Sequence, residues 1–301
     1  MVSVVDASIE LAGSLALPVP GPSALSLPHG MHFDVPEERY HRKVFGLVSK
    51  HMLDLIEESP LTYKTYVEAE ADPDDETPEH FLLGNATGCA TLEPERFQAA
   101  YACEPHFGDC RKKENKVRRD EWRSTYKGAT LLTPSQFHNV TGMARSMRSH
   151  PRFARLLDMG AHAEVTIRWV DPETRLECKG RLDLWVPSVA VTLDLKTTQD
   201  ARAEAFEIAC ERYGYADQAA MYLEGLRALG IDPGPFLFGV VKKTSPWLRA
   251  VYGMDDEEWL EAGARRIRRR MRLMADCIDS GSWPGLSEEI QRLNRPRWSK
   301  D

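Results

Sequence analysis

Apolar and polar residues alternate through positions 163–170, Ala-Glu-Val-Thr-Ile-Arg-Trp-Val, which is the period of a half-buried strand. Asp171-Pro172-Glu173-Thr174 supplies a turn. Residues 176–186 and 189–195 then read as two more strands, joined at Pro187-Ser188. The pattern from 206 to 229 predicts one long helix ended by Gly230. A strand pair over 236–242 and 248–252 follows, then a last helix from 256 to about 280. The N-terminal half is helical. Ser49 caps a helix whose apolar face is Met52, Leu53, Leu55 and Ile56, ending near Ser59-Pro60. A second helix over 81–92 closes at Glu93-Pro94, and Thr133-Pro134-Ser135 opens a third that runs to about Ser149.

Other stretches show no such period. Residues 1–35, with Pro18, Pro20, Pro22 and Pro28, predict a flexible leader. Residues 69–79 read as a solvated acidic loop, and 111–119 (Arg-Lys-Lys-Glu-Asn-Lys-Val-Arg-Arg) as a basic connector. The expected organisation is a leader over 1–35 and one domain over 36–301. That domain divides into a helical part (36–160), a sheet core (161–255) and a C-terminal helix and tail (256–301).

Composition narrows the class. With 301 residues, 42% hydrophobic and 28% charged, the chain can bury a sizeable core. No run is long and apolar enough for a transmembrane helix, and the opening residues lack the basic start of a secretory signal. Six scattered cysteines without a CxxC read as reduced thiols, so a cytoplasmic location without membrane attachment is expected. A net charge of −7 argues against indiscriminate coating of nucleic acid, although local basic tracks can still meet phosphates.

One constellation carries chemistry. Asp194 and Lys196 lie two apart on an expected strand and so share a face. Asp183 sits on the strand before, and Glu164 on the strand before that. Gln218 and Tyr222, four apart on the following helix, share one side of it. Phosphodiester hydrolysis needs an activated water and charge on the phosphoryl and leaving oxygens, which carboxylate-held Mg²⁺ supplies. Lys196 suits the task of orienting that water or offsetting phosphate charge. A lone Asp-x-Lys is common, and a solvated strand-edge glutamate would look the same as Glu164 alone. Asp194, however, is flanked by Val191, Leu193 and Leu195, where an isolated charge is costly to bury. The set together reads as a metal-dependent nuclease site.

These residues resemble the PD-(D/E)xK nuclease superfamily, and within it the RecE-type (exonuclease VIII) domain of phages and prophages. The resemblance rests on Val48-Ser49-Lys50-His51 with Glu58-Ser59-Pro60, on Leu92-Glu93-Pro94-Glu95-Arg96-Phe97, and on Ser149-His150-Pro151. It continues through Cys178-Lys179-Gly180-Arg181-Leu182-Asp183, Gly214-Tyr215, Gln218-Ala219-Ala220-Met221-Tyr222 and Trp283-Pro284-Gly285, covering roughly 37–298. It implies an α/β (α+β) fold with a restriction-endonuclease-like core, a mixed sheet flanked by helices. It also implies that Asp183 and Asp194 bind Mg²⁺ (with Mn²⁺ as a substitute), Glu164 joins them, and Lys196 is catalytic. The implied activity is 5′→3′ digestion of one strand at double-stranded DNA ends, leaving a 3′ single strand for a RecT-type annealing protein. The enzyme would be a homo-oligomeric ring. One departure stands out: Gly84-Asn-Ala-Thr-Gly88 carries glycine where the family reads a metal-binding histidine. His150 and His162 are the candidate substitutes, with structural roles the plainer expectation.

Two further functions fit the same residues: an endonuclease of the superfamily, and a DNA-binding recombination scaffold with weakened catalysis. The densest basic run, Arg265 to Arg272, has three open roles, as a phosphate contact, a subunit interface or a solvated face; the 111–119 run is a similar candidate.

Overall fold

In the computed structural model, which describes residues 27–69 and 78–295, a short strand β1 (Gly30–His32) leads to a one-turn helix α1 (Glu37–Tyr40) and β2 (Leu47–Val48). Helix α2 (Lys50–Glu58) begins where Ser49 accepts a hydrogen bond from the Met52 amide, and it buries Met52, Leu53 and Ile56. Ser59 repeats the cap for α3 (Pro60–Glu68) through the Thr62 amide. Helices α4 (Glu79–Leu92) and α5 (Pro94–Ala100) lead into β3 (Tyr101–Cys103). An excursion carrying α6 (Lys113–Thr125) returns to β4 (Thr130–Leu132), the parallel partner of β3. Thr133 and Gln136 form a capping box that opens α7 (Pro134–Arg148), and α8 (Pro151–Asp158) follows.

The central sheet comes next: β5 (His162–Val170), β6 (Glu177–Val186) and β7 (Val191–Thr198). Two helices, α9 (Ala203–Tyr213) and α10 (Tyr215–Ala228), cross over to β8 (Phe236–Lys242), which runs parallel to β7. Strand β9 (Arg249–Gly253) and helix α11 (Glu257–Ser280) complete the order. The sheet runs β1-β5-β6-β7-β8-β9, with β2 pairing β6, so it is mixed. Alternation along β8 sends Phe236, Phe238 and Val240 into one core with α2, α10 and α11. Leu237 packs in a second core with Met147 and Phe153 of α7 and α8. Val241 joins α4, α5 and α7 in a third. Helices therefore flank the sheet as expected.

Three sequence expectations change. The long helix over 206–229 is two helices, broken at Gly214, whose φ of +63° is a conformation glycine adopts at low cost. The connector over 111–119 contributes most of its residues to α6, a helix with no buried residue and hence no apolar period to read. Residues 30–32, assigned to the leader, form an edge strand paired with β5. Leader residues 1–26, acidic residues 70–77 and the tail from 296 onward lie outside the described residues.

Candidate active site

Strands β6 and β7 are hydrogen-bonded over three pairs only, Leu184↔Leu193, Trp185↔Thr192 and Val186↔Val191. Beyond them the strands part, and β7 continues along β8 to Thr198. Asp183 and Asp194 are the first residues past the fork, one on each prong. Parting leaves the Leu195 N–H without a ladder acceptor, and Asp183 Oδ2 accepts it at 2.7 Å. One edge of β6 is taken by β5, and β2 pairs the other edge only at Glu177 and Cys178. Residues 179–183 on that edge thus have no strand partner among the described residues, and the fork stays open.

Helix α10 closes the fork from one side. Gln218 donates to Asp194 Oδ1 at 2.7 Å and accepts from Lys196 Nζ at 3.0 Å. Lys196 lies 2.8 Å from Asp194 Oδ2 and 4.4 Å from the centroid of the Tyr215 ring. Tyr222 follows Gln218 by one turn on the same side of α10. Its ring packs where a Cβ on Gly180 would come within 2.9 Å, which explains why glycine precedes Arg181. The break at Gly214 lets α10 point Tyr215 and Gln218 at β7 and Tyr222 at β6, in a direction that a continuous helix from α9 would not give.

The electrostatics follow from crowding. Burial, then the Asp194 and Glu164 carboxylates, push Asp183 well above the usual carboxylate range. Burial alone would lower the Lys196 ammonium, but Asp194, Asp183 and Tyr215 outweigh it, so its pKa rises and it carries charge at neutral pH. Burial, with Tyr40, Asp194 and Asp183 adding to it, holds the Tyr222 hydroxyl protonated.

Glu164 occupies a different place. It sits between the registered pairs Ala163↔Leu184 and Val165↔Leu182, level with Asp183, and its φ is +53°, a strained conformation for a non-glycine residue. Its carboxylate lies 2.8 Å from Nε of Arg181, which also donates to the Val35 carbonyl. A cleft of about 650 Å³ opens there, lined by Glu37, His41, Glu93, Arg96, Glu164 and Arg181 among others. Burial raises the Glu164 pKa, Arg181 opposes this, and Glu93 and Glu37 add to the rise.

The residues fit a hard divalent cation. Asp194 Oδ2 is buried, has the Lys196 ammonium beside it, and makes no aligned hydrogen bond. Two crowded carboxylates with spare lone pairs match the oxygen preference of such an ion, which keeps waters in its remaining positions. Among the described residues no three His, Cys, Asp or Glu side chains converge as a metal cluster; the Asp183 and Asp194 carboxylates stand at the fork, and Glu164 on the adjoining strand faces Arg181. His162 packs on the Phe33 ring and His150 precedes α8. At Gly88 an added Cβ would meet nothing within 4 Å.

The sequence family described as a PDDEXK-like domain of unknown function (DUF3799) matches residues 49–296, most of the chain. The chain belongs to this PDDEXK-like family. A solved structure from Eubacterium rectale, provisionally named an exonuclease, superposes on the PDDEXK-like domain with a TM-score of 0.57 at 15% identity. The match covers 88% of this chain and 96% of that one, and at this identity it speaks to the fold. A second structure, SSO0001, matches at 13% identity and a TM-score of 0.29 over 66% of this chain and 87% of its own, too low to carry an argument. No curated protein sequence matches.

Of the expected site residues, Asp183, Asp194, Lys196, Gln218 and Tyr222 meet at the fork, and Glu164 stands on the adjoining strand. Sequence reasoning passed over Tyr215 and Arg181 as functional, although both fall inside the motifs that carried the resemblance.

Proposed function

We propose that this PDDEXK-like domain is a Mg²⁺-dependent exodeoxyribonuclease that degrades one strand of linear duplex DNA from the 5′ end. The observation that carries the nuclease reading is the fork, with Asp183 and Asp194 on its prongs and Lys196 held between Asp194 and Gln218. Exonucleolytic action and its polarity rest on the RecE-type motifs. When bound, the cation supplies positive charge to the phosphoryl oxygens and acidifies water. Asp183 and Asp194 hold it. The Lys196 ammonium faces the scissile phosphate, offsets its charge and orients the attacking water. Gln218, bonded to both Asp194 and Lys196, fixes where that ammonium sits. The same reading supplies a cytoplasmic setting, a ring of identical subunits and an annealing partner of the RecT type.

Linear duplex labelled at the 5′ or the 3′ end, incubated with Mg²⁺ or with EDTA beside covalently closed circular DNA, tests it. Metal-dependent release of the 5′ label with the circle intact is expected. Release of the 3′ label reverses the polarity, and a cut circle makes the protein an endonuclease. A chain that binds DNA without cutting it is the recombination scaffold, a reading favoured by one observation, the absent histidine at Gly88.

A further inference from the structure

Residues 104–129 leave the body after β3 and return to it at β4, so the two ends of this arm are pinned side by side in a two-stranded sheet. Helix α6, which forms half of the arm, buries no residue. The arm carries eight Lys and Arg against five Asp and Glu, a surplus of three positive charges in a chain of net −7. Its ion pairs are internal, Arg119 with Asp120 and Arg123 with Glu104. Arg111, Lys112, Lys113, Lys116, Arg118 and Lys127 make no ion pair among the described residues, and all six are exposed.

Spacing orders these charges. Lys112 and Lys116 lead into the ion-paired Arg119 and Arg123 at intervals of four, three and four, so the four form one stripe along α6, free at its N-terminal end and paired at its C-terminal end. The stripe is about 16 Å long, the rise of roughly five nucleotides along a DNA strand. A second row beside it carries Arg118, Trp122 and Tyr126. Trp122 lies 4.4 Å from Tyr126 and 6.1 Å from Phe107, which stiffens the arm with aromatic contacts. At its base, β3 continues directly from α5, whose Arg96 and preceding Glu93 line the cleft beside Glu164.

We propose that this arm is the surface on which the protein holds the phosphate backbone of duplex DNA and presents it to the fork. The choice of DNA as the polyanion rests on the nuclease reading; the existence of a cationic docking surface does not. The exposed, unpaired cations of the arm meet phosphates without reading bases, which suits an enzyme acting on ends of any sequence.

The test uses the full chain with Lys112→Glu, Lys113→Glu and Lys116→Glu combined, and a second triple with glutamine at the same positions. Binding to a fluorescent duplex is followed by anisotropy in EDTA, where cleavage is off, over a range of salt. Because α6 buries nothing, both variants keep the wild-type circular dichroism. The glutamate triple is expected to bind about tenfold more weakly or worse, and the glutamine triple to fall between. The salt slope should flatten by about 0.9 for each phosphate that the variant no longer neutralises. Unchanged affinity and slope in both variants overturn the arm and direct attention to an acidic protein partner. A wild type that binds through the arm but never cuts overturns the nuclease reading and leaves the arm standing. A wild type that does not bind duplex even at low salt overturns both.

Discussion

The chain has two basic runs that look alike in sequence and behave oppositely in the fold. On α11 each arginine from Arg265 to Arg272 has an acidic partner: Glu261, Asp217, Glu224, Glu57 or Glu173. Arg266 and Arg270 both grip Asp217, whose side chain is 2% exposed, and Arg270 reaches Glu57 and Asp54 of α2 as well. This run ties three helices together while Ile267, Met271 and Met274 fill the core beneath. On the arm around α6 most of the cations face solvent. The difference lies in whether acids on other elements come within reach, and those acids are far away in sequence. A charge run therefore acquires its meaning only when the chain is folded.

The contrast breaks most easily at Arg270. Replacing it by alanine leaves Asp217 buried with one partner fewer, a change expected to cost about 3 kcal/mol in urea unfolding. A cost below about 0.5 kcal/mol would make α11 a solvated face like any other.

Lys179 offers a third kind of cation, buried but paired with carbonyls instead of carboxylates: it donates to the Tyr40 and Arg42 backbone oxygens. Burial, with Arg168 adding to it, lowers its pKa to about 8. The unfolded chain, with an ordinary lysine, then binds more protons than the folded one above that pH. Its contribution to stability accordingly rises with pH, by about 1 kcal/mol between pH 8 and 9. Wild type and Lys179→Met, unfolded in parallel at the two pH values, should differ by that increment, and a gap independent of pH would refute it.

The smallest effect is expected on the arm. Arg118→Ala or Lys113→Ala should shift stability by no more than about 0.5 kcal/mol, since neither side chain is buried by folding. A destabilisation several times that size in a melt would mean that α6 docks on the body and is not a free surface.

Much of this architecture was legible in the sequence because burial writes a period into it. The strands through Trp169, Leu182 and Leu193 and the helices capped by Ser49 and Thr133 fall where alternation and caps put them. The break at Gly214 was hidden because both flanking helices keep an apolar face, and only the backbone angle separates them. Helix α6 was hidden for the opposite reason, having no apolar face at all. Asp183, Asp194 and Lys196 were legible as a set. The fork that opens between them was not, since it depends on how few residues of β6 pair with β7. Nor could sequence show that Glu164 turns to Arg181.

One set of steady-state rates separates chemistry at the fork from DNA holding on the arm. Digestion of linear duplex in Mg²⁺ is measured for wild type, Asp194→Asn and the 112/113/116 glutamate triple, with binding measured separately. Asp194→Asn should drop at least about a thousandfold in kcat with affinity for DNA retained, because under the proposed function it removes a metal-holding carboxylate and leaves the cations of the arm in place. The arm variant should raise KM and keep kcat. An Asp194→Asn protein that digests DNA at the wild-type rate would remove the fork as the site of chemistry.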